Sequence, residues 1–309
     1  MQKVHLDTDL GGDIDDLCAL AMLLRWPGGV ELTGITVVGD TFGRRTGYVR
    51  RVLELADRTD IPLAAGAETS GGYYPYDLGL PDELRYWGGP VPPSPNPLRQ
   101  ALDLLKKSIE HNATLIGIGP YTNLYLLDLE YPGILQQARL FLMGGYVFPP
   151  RQGFPAWGNA MDFNIQVDVR SAQHVLTHSN PTLIPLSVTV ETALRRSYLP
   201  DLRRAGRLGQ LIARQMEAFT GDEHNEENYG KTCPGLPRDI INFQHDPLAC
   251  AVALGWADGI EIQELPLLNE VQEGLLTERI HPAGSPIRMV TKIDGGRFNE
   301  FWLRVVSQP

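Results

Sequence analysis

The chain has 309 residues, 43% hydrophobic and 21% charged, the balance of a folded soluble protein, and is long enough for one large α/β domain or two small ones. A net charge of −10 argues against a nucleic-acid-binding surface and gives anionic substrates no global steering. Cys18, Cys233 and Cys250 show no metal-ligand spacing, the first residues carry no signal-peptide pattern and no apolar run approaches the ~20 residues of a membrane span, so a soluble, cytoplasmic protein is expected.

Val4 and Leu6 mark a short first strand, Gly11-Gly12 permits a tight reversal, and Leu17, Leu20, Ala21 and Leu24 then recur at helical spacing. Between strand and helix stand Asp7, Asp9, Asp13, Asp15 and Asp16. So many like charges are unfavourable together without a positive partner. A helix N-terminus offsets one or two of them; five point to a metal ion, and oxygen-only donors to Ca²⁺ or Mg²⁺ rather than zinc. An EF-hand is rejected, because Cys18 stands where its bidentate Glu belongs and a strand precedes the loop. A strand-borne Asp-x-Asp of a phosphohydrolase stays open, and so does a plain acidic cap on the helix.

Residues 31–38 read as a β-branched second strand ending at Gly39-Asp40, followed by a helix through Tyr48, Val52 and Leu55, and 61–66 as a third strand. The stretch 67–97 breaks the pattern with Tyr73, Tyr74, Tyr76, Tyr86, Trp87 and several Gly and Pro, a long loop of the functional or mobile kind. Alternation resumes with a helix over 98–109, a strand over 113–118 ending at Gly119-Pro120, and a strand over 138–143 ending at Gly144-Gly145. An irregular stretch, 146–164, precedes a helix over 169–176 and a sixth strand over 181–186. A long helix is expected over 200–219, a mobile flap over 221–237 with His224 and Tyr229, and a helix opened by Asp246 as cap and Pro247 at its first position. The tail promises extra antiparallel strands over 259–290 and a closing helix over 294–306. The expected fold is therefore α/β, a single domain over 1–309 with a doubly wound, mainly parallel sheet and right-handed crossovers.

Asp7-Thr8-Asp9-x-Gly-x-Asp13-x-Asp15-Asp16, Gly119-Pro120-x-Thr122-Asn123-Leu124, Met143-Gly144-Gly145, Asp162-Phe163-Asn164 and His245-Asp246-Pro247-Leu248-Ala249 occur in that order. Together they resemble the inosine-uridine-preferring nucleoside hydrolases, over residues 3 to 306. The resemblance implies Ca²⁺ bound by Asp9, Asp15, Asp246 and the Thr122 carbonyl, with water and the ribose hydroxyls completing the shell. It implies hydrolysis of a ribonucleoside to ribose and free base, with Asp9 as general base on a water and His245 as general acid near its ordinary pKa of about 6.5. By the same pattern Asp16 and Asn164 hold ribose hydroxyls and Asn159 and Asp162 the 5′ end, while Asp40 faces the water, the ribose or the surface. Trp157 and Tyr229, with the loop aromatics, are candidates to stack on the base. A homodimer or homotetramer is implied.

Three departures stand out: a first loop two residues longer, with Asp13 added; Asp at 40 and 162 in place of Asn and Glu; and a shortened segment between Asn159 and Asp162. Other readings are the same chemistry on another N-riboside, such as a nicotinamide or modified-base nucleoside, a Mg²⁺-dependent phosphohydrolase with Asp7 as nucleophile, or a non-catalytic nucleoside-binding protein.

Overall fold

A computed structural model describes residues 1–69 and 79–308. Tyr73, Tyr74 and Tyr76, singled out above as stacking candidates, lie outside the described residues. The strands are β1 (Gln2–Thr8), β2 (Val30–Val37), β3 (Leu63–Ala65), β4 (Thr114–Gly117), β5 (Arg139–Met143), β6 (Thr182–Ile184), β7 (Leu194–Arg195), β8 (Ile240–Asn242), β9 (Glu261–Gln272), β10 (Leu275–Ile280) and β11 (Ser285–Lys292). The helices are α1 (Asp15–Leu24), α2 (Arg44–Leu55), α3 (Glu83–Tyr86), α4 (Leu98–Glu110), α5 (Thr122–Glu130), α6 (Phe163–Gln166), α7 (Val169–His178), α8 (Leu186–Thr189), α9 (Leu199–Arg204), α10 (Gly206–Glu223), α11 (His245–Ala253) and α12 (Gly295–Val306).

Nine strands form one sheet in the order β10-β9-β11-β6-β5-β4-β1-β2-β3. From β6 to β3 every neighbour is parallel, β11 joins β6 in parallel, and β9 and β10 continue antiparallel. This is the doubly wound order with an antiparallel edge built from the C-terminal tail. Strand order reverses between β1 and β4, the place where open α/β sheets bind ligands beyond their carboxyl ends. β1 lies inside the sheet, between β4 and β2, with Val4 and Leu6 fully buried, because helices cover both faces of a parallel sheet.

Several elements differ from the sequence reading. α5 begins at Thr122, where no helix was expected; its apolar residues do not segregate to one face. The long helix splits at Gly206, whose φ of +68° ends the ladder between α9 and α10. The 221–237 stretch contains the last turn of α10 and a π-helical turn over Glu226–Gly230, and just after it β8 pairs with β7 as a separate two-stranded sheet. α11 starts at His245, so Asp246 sits inside its first turn rather than capping it. No helix among the described residues is long and apolar enough to cross a membrane.

α12 braces the helix that carries two of the acidic residues. Phe298, Trp302, Val305 and Val306 are buried at helical spacing, and the Trp302 indole donates to the Cys18 carbonyl of α1 at 3.2 Å. Trp302→Ala removes the largest fully buried side chain and should cost about 3–5 kcal/mol in urea unfolding; a loss under about 1 kcal/mol would show that α12 does not brace α1.

Candidate active site

The turn after β1 is shaped by its glycines and by one tyrosine. Gly11 has φ +116°, and a Cβ there would stand 2.6 Å from the ring of Tyr48, a fully buried residue of α2. The backbone therefore lies flat on Tyr48 and turns directly into α1. Asp15 and Asp16 occupy the first turn of α1, and Asp246 the first turn of α11, which packs on it. The Asp246 N–H donates to Asp15 Oδ2 at 3.2 Å. Two helix N-termini thus converge on one point, each favouring negative charge.

There, oxygens of Asp15, Asp16 and Asp246 lie within 4.8 Å of one another, all three residues buried. Asp9, Asp13, Asp15, Asp16 and Asp246 line one wall of a cavity of about 420 Å³ together with Arg45. The other walls carry Ile118, Met143, Trp157, Asn164, Leu186 and His245. A chamber of this size, lined by both carboxylates and apolar side chains, suits a small organic ligand. Gly119 packs against Asp9: a Cβ there would be 2.9 Å from Asp9 Oδ1, so the turn after β4 can approach the acidic wall only without a side chain.

Desolvation, then mutual repulsion, governs the charges. Burial pushes the Asp15, Asp16 and Asp246 carboxyls well above the usual carboxylate range, and their neighbouring aspartates push them further. Asp9 is also raised by desolvation, while the Arg45 guanidinium pulls it back. Arg45 is itself buried and donates to the Asp9 and Gly39 carbonyls, so a fixed cation stands in the acidic wall. Asp13, open to the cavity mouth, accepts from Asn242 Nδ2 at 2.5 Å. Behind the cluster, the thiols of Cys18 and Cys250 are raised by desolvation and by the aspartates, which keeps them protonated. An oxygen-only, electron-rich cluster with an excess of negative charge fits a hard divalent cation.

His245 projects from the start of α11 with Nδ1 2.7 Å from Thr189 Oγ1, beside Phe243 and Trp157 at ring separations of 5.4 and 6.2 Å. Desolvation lowers its pKa to about 3, so neutral imidazole is the resting form rather than a group titrating near 6.5. The Asn164 amide nitrogen donates to the Ile118 carbonyl at 2.9 Å. Trp157 is held edge-on by Tyr229 and Phe243 at 5.5 and 5.0 Å.

The remaining expected site residues are placed elsewhere. Asp40 is buried outside the cavity lining, where its carboxylate takes the Arg45 and Thr46 N–H groups and the Thr46 hydroxyl in the first turn of α2. Asp162 is fully buried outside the cavity lining, accepts from the Gly145 N–H at 2.6 Å and is raised to about 7 by desolvation. Asn159 turns toward the Leu276 carbonyl at 3.4 Å, also outside the lining. Tyr229 supports Trp157 from the second layer. Thr122 opens α5 with its hydroxyl on Asp168 at 2.6 Å, a side-chain contact that does not bear on the expected ligand role of its carbonyl. Asp7 accepts from Thr36 at 2.5 Å and Asn123 at 2.8 Å beneath the floor, a poor position for a nucleophile. Sequence reasoning missed Arg45, Thr189 and Asn242. No local pattern in the sequence marked any of the three.

A family model described as inosine-uridine preferring nucleoside hydrolase matches residues 4–300. Among curated proteins, pyrimidine-specific ribonucleoside hydrolase RihA of Salmonella arizonae is 30% identical over 263 residues, covering 81% of this chain and 78% of its own. RihA of Escherichia coli O7:K1 is 30% identical over 266 residues with the same coverage. The fold is shared with the plant nucleoside hydrolase PpNRh1 (TM-score 0.77, 20% identity, 100% and 99% of the two chains). It is shared too with a purine-preferring ribonucleoside hydrolase from Gardnerella vaginalis (TM-score 0.75, 21% identity, 99% and 98%).

The raised carboxyls set a pH dependence for the metal-free protein. A carboxyl whose folded pKa exceeds its unfolded value of about 4 stabilises the fold at low pH, and that stability is lost as pH rises toward the folded pKa. Asp7, raised to about 7, and the Asp15, Asp16 and Asp246 cluster all act in this sense. The lowered histidines His5 and His245 act oppositely, but only up to about 6.5, where the unfolded imidazole loses its proton. The Tm of chelator-treated protein should therefore fall between about pH 6.5 and 8, and Ca²⁺ should remove the fall. A Tm that rises with pH in that window without metal would contradict the charge assignment.

Proposed function

The chain belongs to the inosine-uridine preferring nucleoside hydrolase family, and from that premise we propose that it hydrolyses the N-glycosidic bond of ribonucleosides to ribose and free base in a Ca²⁺-dependent reaction. The observation that carries the reading is the meeting of Asp15, Asp16 and Asp246, 231 positions apart at the extremes, at the end of a cavity that also holds His245. The curated relatives' names make pyrimidine ribonucleosides the first substrates to test.

Asp15, Asp16 and Asp246 would hold the ion, with Asp9 beside them. When bound, Ca²⁺ supplies compensating charge and a Lewis-acidic grip on the vicinal ribose hydroxyls. Asp9, on the same wall, takes the proton of the attacking water. The aspartates also favour the positive charge that builds on the sugar ring as the glycosidic bond breaks. Asn164, its amide nitrogen committed to Ile118, keeps its oxygen for a sugar hydroxyl. Trp157 offers its ring to the base. His245, with Nδ1 accepting from the Thr189 hydroxyl, would carry its one proton on Nε2 and donate that N–H as a hydrogen bond to the departing base nitrogen. Fixing the sugar and these groups in one chamber supplies the entropic part of the acceleration.

Reducing-sugar release over a ribonucleoside panel should identify the substrate, with activity abolished by chelation and restored by Ca²⁺. Asp9→Ala should lower kcat about 10²–10⁴-fold. His245→Ala should slow natural nucleosides by a similar factor while leaving a nitrophenyl riboside nearly untouched, since that leaving group needs no proton. Wild-type turnover in Asp9→Ala, or equal losses on both leaving groups in His245→Ala, would remove those roles.

A further inference from the structure

In a chain of net charge −10, one face away from the cavity is rich in arginine. Between α2, α3, α9 and α10 runs a groove of about 680 Å³ whose walls carry Arg51, Arg85, Arg203 and Arg214 against a single carboxylate, Glu217. Arg85 is fixed by Asp222 at 2.8 Å and by the Ala218 carbonyl at 2.9 Å, and Arg203 is paired with Glu217. Arg51 reaches Glu54 only at 3.4 Å. Arg214 has no hydrogen-bond or ion-pair partner among the described residues.

A second observation points the same way. Trp87 lines this groove, and its indole Nε1 is buried without an acceptor among the described residues. Trp87 is rigidly placed, stacked on Tyr48 at 4.6 Å and 12°. Trp87 thus forms a rigid apolar wall of the groove beside Arg214, and its own buried N–H draws in no carboxylate among the described residues that would neutralise that guanidinium. The complement of such a wall is an anion with several acceptor oxygens. Phosphate meets that description, because it offers paired oxygens to more than one guanidinium fork. A neutral nucleoside would leave the Arg214 charge unmatched, which separates this groove from the acidic cavity. Its volume exceeds that of the catalytic chamber and admits a phosphate carrying an organic group.

We propose that the groove between α2, α3, α9 and α10 is a binding site for a phosphate-bearing anion, recognised by Arg214, Arg203, Arg51 and Arg85 around Trp87. It is independent of the catalytic metal and of the hydrolytic reaction.

Isothermal titration of the full chain at low salt, with inorganic phosphate in one series and UMP in another, tests the site. Saturable binding is expected, weakened about tenfold or more by Arg214→Ala and Arg203→Ala, measurably by Trp87→Phe, and not at all by Arg288→Ala on β11. Tight binding of both probes assigns the recognition to the phosphate itself. Arginine-dependent binding of UMP alone assigns it to a nucleotide. No saturable binding of either probe, or affinities unchanged in both Arg214→Ala and Arg203→Ala, would overturn the proposal.

Discussion

Like charges crowded into a dry chamber set the terms for the rest of this molecule. Carboxylates of Asp15, Asp16 and Asp246 lie within 4.8 Å of one another with almost no solvent to screen them, and Asp9 and Asp13 add to the same wall. At such separations unit charges repel by several kcal/mol even at the effective dielectric of a protein interior. The fold supplies partial relief from three directions: the N-termini of α1 and α11, and the Arg45 guanidinium. Each is fixed by packing elsewhere. Tyr48 supports the Gly11 turn, Trp302 ties α12 to α1, and Asp40 holds the first turn of α2 so that Arg45 points inward.

That division of labour separates binding from chemistry. The cavity lining combines aspartates suited to a hard cation with Trp157, Met143 and Leu186, apolar side chains suited to a flat ring. His245 stands where the aromatic cluster of Trp157 and Phe243 meets the acidic residues, within one residue of Asp246 in α11. A neutral resting imidazole there places no proton among the carboxylates. The arginine groove is the electrostatic counterpart of this chamber on a different face, and the two would select opposite kinds of ligand.

The architecture was legible because its signals are local. β-branched runs alternating with amphipathic helices gave the doubly wound sheet, and the density of aspartate around Gly11-Gly12 pointed to the acidic wall before any contact was known. Family resemblance brought in Asp246 and His245, which no local pattern connects to residue 15. What stayed hidden depends on side-chain direction. Asp40 and Asp162 lie at loop positions typical of ligands, yet each is claimed by backbone N–H groups, Asp40 by the start of α2 and Asp162 by Gly145. α5 was missed because its apolar residues lack one face, and the break at Gly206 is a backbone choice that composition barely marks. Arg45 looked like one of several solvent-facing charges on α2, and only the folded turn shows it buried against Asp9.

Calorimetric titration of the metal-depleted protein with Ca²⁺ puts the central claim to its most direct test. One ion should bind per chain with well-defined stoichiometry, and replacing Asp246 with Asn should abolish the binding while leaving the fold intact by circular dichroism. Absence of saturable Ca²⁺ binding to the wild-type chain, or binding unchanged in Asp246→Asn, would show that these carboxylates were not brought together for a cation.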